Sequence, residues 1–160
     1  MGMNETAERV ACPVSTPLGT FTAIYEGDVI IRVLFPGESP GAGVPREDAS
    51  LPFAVQMREY FEGKRKSFSL PVSLSGTKFM RDVYEAAVRI PYGSTASYSG
   101  LALTAGYPRA FRAVGNAMRS NPLPILVPCH RVVHKSGGLS RYSGGTGVKS
   151  FLLEMEGAAR

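Results

Sequence analysis

SYSGLALTAGYPRAFRAVGNAMRS, running from Ser97 to Ser120, decides how the second half of this 160-residue chain folds. Ser97 to Leu103 reads as a short helix, Ala105-Gly106-Tyr107 as a turn, and Pro108 as the opening of another helix that runs to about Ser120. Two helices joined by a glycine-containing turn predict a helix-turn-helix. On the second helix Ala110, Ala113, Val114, Ala117 and Met118 supply a packing side. Arg109, Arg112, Asn116 and Arg119 recur at three- and four-residue spacing on another face. Such a stripe suits contact with a nucleic acid, although an exposed helix face is also often basic for solubility alone.

Upstream of this stretch, Phe79, Val83, Ala86, Ala87 and Ile90 form a helical stripe that stops at Pro91-Tyr92-Gly93. Downstream, the apolar run Leu123-Pro124-Ile125-Leu126-Val127 reads as a buried strand closing on Pro128-Cys129-His130-Arg131. Val132 to Leu139 predicts a strand leading into a glycine-rich turn, and a last helix passes through Val148, Phe151 and Leu152 and carries Glu154 and Glu156. In the first half, Thr20–Tyr25 and Val29–Phe35 are β-branched and aromatic runs around Glu26-Gly27-Asp28, which predicts a hairpin. Residues 36–45, with three prolines and three glycines, read as a loop. Ser50-Leu51-Pro52 then offers a capping residue and a first-turn proline to a helix bearing Phe53, Met57 and Phe61. Phe68, Leu70, Val72 and Leu74 alternate as in a strand or extended connector. The expectation is an α+β chain. A small sheet-plus-helix domain over residues 1–74 precedes a mainly helical domain over 75–160 with a helix-turn-helix and a short wing.

Composition excludes disorder and membrane insertion: 44% of residues are apolar and 19% charged, and no apolar run approaches the roughly 18 residues a spanning helix needs. The N-terminus has neither a basic start nor an apolar core for export, so the expected compartment is the cytoplasm. There the two cysteines are expected as free thiols. The net charge of +5 is unevenly spread. Residues 1–76 hold 7 Lys/Arg against 9 Asp/Glu, whereas residues 77–160 hold 11 against 4, with no carboxylate between Glu85 and Glu154. A basic field of that kind favours a polyanion, because each neutralised phosphate releases condensed counterions.

Cys129 stands out chemically. The thiolate is the nucleophilic form, and a neighbouring imidazole and guanidinium are the groups that favour it. The Pro-Cys-His-Arg core, Tyr98, Asn121-Pro122, Pro124 to Val133, Tyr142-Ser143-Gly144-Gly145, Lys149 and Glu156-Gly157 together resemble, in order and spacing, the O6-alkylguanine-DNA alkyltransferase family over roughly residues 77–157. That resemblance implies a stoichiometric repair protein that binds double-stranded DNA in the minor groove, flips out an O6-alkylated guanine, and takes the alkyl group onto a cysteine without regeneration. Cys129 matches the acceptor, His130 the residue that takes its proton through water, and Glu156 the carboxylate that holds the imidazole. Asn121 matches an asparagine that braces the active-site turn. Tyr98 and Ser143 match positions that contact the flipped base, Tyr142 falls in a lid-like turn, and the carbonyls of Cys129 and Val132 match those that read the exocyclic amine. Arg112 matches the arginine that fills the vacated stack. Ala110, Ala113 and Gly115 would permit close approach to the groove, with Arg119 on the same basic stripe.

Phe111 is larger than the small residue expected at its position, Asn116 replaces a typical glycine, and Tyr84 stands where many members carry tryptophan in a packing role. No cofactor and no structural zinc are expected, since residues 1–76 hold one cysteine and no histidine. The protein is expected to act as a monomer. Three other readings compete. A recognition module of the alkyltransferase-like kind would lack the acceptor cysteine, which Cys129 supplies. A metal site would have to use Cys12, Cys129, His130 and His134, although adjacent Cys129 and His130 make awkward joint ligands. A thiol hydrolase would turn over many substrates per molecule.

Overall fold

Arg9–Thr16 forms a first strand, β1, that the sequence reading missed because Pro13 interrupts it. The computed structural model describes residues 8–136, 138 and 145–158, and divides between Ser73 and Leu74 into two compact units. In the first unit β1 pairs antiparallel with β2 (Gly19–Glu26), and β2 pairs antiparallel with β3 (Val29–Leu34) as the expected hairpin. A two-residue strand, β4 (Arg46–Glu47), lies parallel to β1 and gives the sheet order β3-β2-β1-β4. It reaches only Val10 and Ala11, so Pro13 sits where β1 has no partner on that side and its missing N–H costs little.

Helix α1 (Pro52–Phe61) packs on β1 and buries Phe53, Met57 and Tyr60 completely. Ser50 does not cap it. Leu51 occupies that position without a side-chain bond, and the Ser50 hydroxyl donates instead to Asp48 Oδ1. The start of the helix is held by tertiary contact, since the Phe53 N–H donates to the buried Tyr25 hydroxyl at 3.1 Å. Residues 64–76 are an extended connector with a single bridge from Val72 to Ile30, and the alternation of half-buried Phe68, Leu70, Val72 and Leu74 with exposed neighbours agrees with their spacing.

The second unit opens with α2 (Lys78–Val88), whose N-terminus is capped by Thr77 accepting from the Met80 N–H. The helix-turn-helix follows as α3 (Tyr98–Ala105) and α4 (Phe111–Arg119). Ser97 caps α3, and Gly106 ends it at φ 92°, a left-handed conformation that favours glycine. Pro108 does not open α4. Tyr107 to Ala110 form a separate turn closed by the Ala110 N–H to the Tyr107 carbonyl at 2.9 Å, and the helix begins three residues later than its proline suggests. Helices α2, α3 and α4 pack on one another, with the Tyr84 hydroxyl, fully buried, donating to the Ala117 carbonyl of α4 at 3.0 Å. Two short strands, β5 (Ala96–Ser97) and β6 (Val132–Val133), pair in parallel, and α5 (Thr146–Met155) completes the described part of the unit. The β5–β6 register sets Ala96 beside Val132 and Ser97 beside Val133, which brings the start of α3 next to the residues that follow Cys129. Among the described residues no helix is long and apolar enough to cross a membrane.

Candidate active site

The apolar run before Cys129 is not a strand. Pro124 and Val127 bridge each other across a tight turn, and Ile125 within it takes φ 72°, a strained left-handed conformation for a β-branched residue. Short apolar runs between turn residues do not distinguish strand from buried turn by pattern, and here the backbone pairs locally. The Val127 N–H donates to the Leu123 carbonyl at 2.8 Å and the Cys129 N–H to the Val127 carbonyl at 2.7 Å. Asn121, buried at the end of the α4 segment, bonds the turn from both sides of its amide. Its Oδ1 accepts from the Leu123 N–H at 2.9 Å, and its Nδ2 donates to the Val127 carbonyl at 2.8 Å and to Cys129 Sγ at 3.1 Å. A donor aimed at the sulfur favours the thiolate over the thiol.

Cys129 to Arg131 form one turn of 3₁₀ helix, buried throughout. His130 is fully buried, and its Nε2 lies 2.8 Å from Glu156 Oε2. The guanidinium of Arg131 does not serve the thiol as its sequence neighbourhood suggests. Nε and Nη2 clamp both oxygens of Glu156 at 2.8 and 3.0 Å, and Nη1 donates to the Ile90 carbonyl at 2.7 Å. A carboxylate held in this bidentate way is a fixed acceptor, so the imidazole places its N–H on Nε2 and its lone pair on Nδ1. Nδ1 is buried and has no hydrogen-bond partner among the described residues. Burial holds the His130 pKa below its ordinary 6.5 despite the opposing pull of Glu156, which keeps the ring neutral and able to accept a proton.

Glu156 caps the C-terminus of α5, with its N–H on the Leu152 carbonyl at 3.0 Å. The Pro91-Tyr92-Gly93 turn fits beside it. Gly93 has φ 81°, and a Cβ there would stand 3.2 Å from the Glu156 carbonyl oxygen, so the position requires glycine on both counts. Lys149, about two turns earlier on α5, is 1% exposed and donates from Nζ to the Val132 carbonyl at 2.6 Å. Desolvation lowers its pKa to about 8, partly opposed by the charge of Cys129. The sequence reading assigned Lys149 no role. The available signal was its place three and four residues before Leu152 and Leu153 on the buried side of the helix. The Val132 carbonyl, expected to read an exocyclic amine, thus already accepts one bond, and the Cys129 carbonyl accepts another from the Val132 N–H. A carbonyl oxygen has two lone pairs, so one accepted bond does not saturate it.

Of the other expected residues, Tyr98, Arg112, Gly115 and Arg119 border a groove of about 810 Å³ that Phe111 and Lys135 also line. Cys129 is not among its lining residues. Gly115 is buried on α4, where a Cβ would lie 3.9 Å from the Tyr98 ring. Ala113, placed by its spacing on the packing side, is exposed instead, and Ala110 is half-buried just before the helix. The later start of α4 leaves Val114, Gly115, Ala117 and Met118 as its buried face. Arg119 donates to Asn116 Oδ1 on the exposed side. Tyr142 and Ser143 lie outside the described residues. No three His, Cys, Asp or Glu side chains cluster in metal-binding geometry among the described residues.

A helix-turn-helix unit that encloses a thiol, an imidazole and a clamped carboxylate defines a class of DNA-handling protein with a cysteine nucleophile. Residues 13–74 match the 6-O-methylguanine DNA methyltransferase ribonuclease-like domain and residues 78–158 the DNA binding domain of the same name. The chain belongs to the 6-O-methylguanine DNA methyltransferase family. It is 43% identical over 150 residues to the constitutive methylated-DNA–protein-cysteine methyltransferase of Bacillus subtilis, covering 88% of this chain and 91% of that protein. With the inducible protein of that organism it shares 48% identity over 118 residues, 73% of this chain, and spans 66% of that relative's length. A crystal structure of Mycobacterium tuberculosis OGT in complex with DNA superposes with a TM-score of 0.86 at 36% identity, covering 92% of each chain. The fold and the family expected from the sequence are those found.

Proposed function

We propose that this protein repairs DNA by direct reversal, moving the alkyl group of O6-alkylguanine irreversibly onto Cys129, once per molecule. The observation that carries this reading is the Asn121 N–H on the Cys129 sulfur beside a neutral, tautomer-fixed His130. His130 Nδ1 takes the thiol proton through a bridging water, Glu156 steadies the imidazolium, and Arg131 keeps Glu156 ionised and oriented. The sulfur then attacks the alkyl carbon. The S–C bond forms as the C–O6 bond breaks, the electron pair passes to guanine O6, and the proton released by the thiol balances that charge on the base. A thioether has no easy leaving path, so a single turnover follows from the chemistry.

Tyr98 and Ser143 contact the flipped base and stabilise its departing oxygen, Tyr142 covers it, and the second lone pairs of the Cys129 and Val132 carbonyls accept its amine. The exposed arginines of α4, with Ala110 and Ala113, sit against the minor groove, where contact is largely independent of sequence, while Gly115 on the buried face lets α4 lie close to Tyr98. Arg112 replaces part of the stacking lost when the nucleotide leaves. Residues 1–74 support the DNA-binding and acceptor unit of residues 75–160, and the protein works in the cytoplasm.

Incubation with duplex containing O6-methylguanine should leave the peptide that holds Cys129 heavier by one methylene, with one methyl taken up per protein. Cys129→Ser should take up none while still binding duplex. An unmodified Cys129 peptide under saturating substrate, or many methyl groups released per molecule, would refute the proposal.

A further inference from the structure

Phe111 is the first residue of α4, and 49% of it is exposed at the border of the groove. The ring is not part of the buried core of the unit, and the chemistry at Cys129 does not use it. Its neighbours are cationic: Arg112, Arg119 and Lys135 line the same groove, and no carboxylate does so among the described residues. The Arg112 guanidinium carbon lies 5.9 Å from the Phe111 ring centroid, within the range at which a cation and an aromatic face attract. A planar cation and an aromatic ring held together at the start of one exposed helix fit an occupant that is anionic outside and aromatic within, which is duplex DNA rather than an acidic peptide or a second copy of this basic unit. A phenyl ring gains nothing among phosphates, but aromatic and aliphatic side chains do enter the minor groove and part base steps.

We propose that Phe111 and Arg112 form a two-part wedge, in which the Phe111 ring stacks on the base step beside the extruded nucleotide while the guanidinium fills the vacated place. The inference rests on the DNA-repair reading and adds a second extrusion residue to it. It also gives a use to the one position on α4 where this chain carries a bulky apolar side chain against the expected small one.

The test compares single-turnover methyl transfer from O6-methylguanine in duplex with reaction of free O6-benzylguanine, for the wild type, Phe111→Ala, Phe111→Leu, Arg112→Ala and the Phe111→Ala/Arg112→Ala pair. Loss of one stacked ring should lower the ratio of duplex to free-base rates by about ten-fold in Phe111→Ala, with Phe111→Leu between it and the wild type. Phe111→Ala should lower the ratio further when added to Arg112→Ala. Fluorescence of 2-aminopurine placed next to the lesion should change on binding of wild type and much less with Phe111→Ala. An unchanged ratio in Phe111→Ala, equal losses on both substrates, or no added effect in the Arg112→Ala background would overturn the proposal. The last outcome would mean that the ring acts only by holding the guanidinium. A wild type that transfers from neither substrate would instead overturn the repair reading itself.

Discussion

Arg131→Met isolates the contribution of the clamp on Glu156. The arginine is 6% exposed and makes three bonds, two to a carboxylate with no exposed side-chain surface and one to the Ile90 carbonyl. Methionine keeps much of the volume and removes every donor. Breaking a buried ion pair by deleting one member costs about 3–5 kcal/mol, because the surviving charge is left without compensation. The orphaned Ile90 carbonyl lies within the same disrupted cluster and adds about 1 kcal/mol or more. Against a total stability on the order of 5–15 kcal/mol, a loss of about 4 kcal/mol lowers the urea midpoint severely. Arg131→Met/Glu156→Gln deletes both charges and leaves an amide oxygen to accept from His130 Nε2. Its loss should therefore fall short of the sum of the two single losses by at least about 1 kcal/mol. Equilibrium urea unfolding of the four proteins near neutral pH supplies the cycle, and methyl transfer should be slower in Arg131→Met because the imidazole loses its fixed tautomer. A cost below about 1 kcal/mol for Arg131→Met, or strict additivity in the cycle, would show that the clamp does not hold the site as the geometry requires.

Two further outcomes follow from the same turn. His130 has a folded pKa below its ordinary 6.5, so above that value both folded and unfolded chains carry it neutral and its contribution to stability is complete. Below 6.5 the unfolded chain takes the proton first, and that contribution is lost as the pH falls through the folded value. The melting temperature should drop on acidification from about pH 6.5, and His130→Gln should flatten that part of the profile; an identical slope in the variant would contradict a buried neutral ring. Asn121→Ala leaves the Leu123 N–H and the Val127 carbonyl without their side-chain partner and should cost about 2–3 kcal/mol. Asn121→Asp, which replaces the donor facing the sulfur with a carboxylate, should shift the pH dependence of Cys129 alkylation by iodoacetamide upward, and an unshifted profile would show that the Nδ2 contact does not act on the thiol.

Much of the architecture was written in local signals. The β2–β3 hairpin and α2 pair a hydrophobic pattern with a recognisable end, and a glycine turn marks the end of α3; such elements depend on their own residues more than on their surroundings. The misplacements share a cause. Strand β1 is tolerated because β4 is too short to need Pro13, and the Leu123–Val127 turn is stable because Asn121 supplies bonds that a strand would take from a neighbour. The start of α4 moved because Pro108 suits the second position of a turn as well as the first position of a helix. In each case the deciding partner lies outside the window that a pattern can see.

Cys129, His130 and the basic field around them are sequence properties, because residue identity sets which groups can attack, accept a proton or attract phosphate. Which cation meets which anion is not. Arg131 stands two residues from Cys129 yet spends its charge on Glu156, twenty-five positions away, and Lys149 withdraws from solvent to hold the Val132 carbonyl. Hydrogen bonds and ion pairs act over a few ångströms, so they are fixed when the β5–β6 pair and the end of α5 come together around the thiol. The sequence by itself presented the candidate nucleophile and its class of target. The tertiary structure alone decided how the imidazole beside it is kept neutral and in one tautomer.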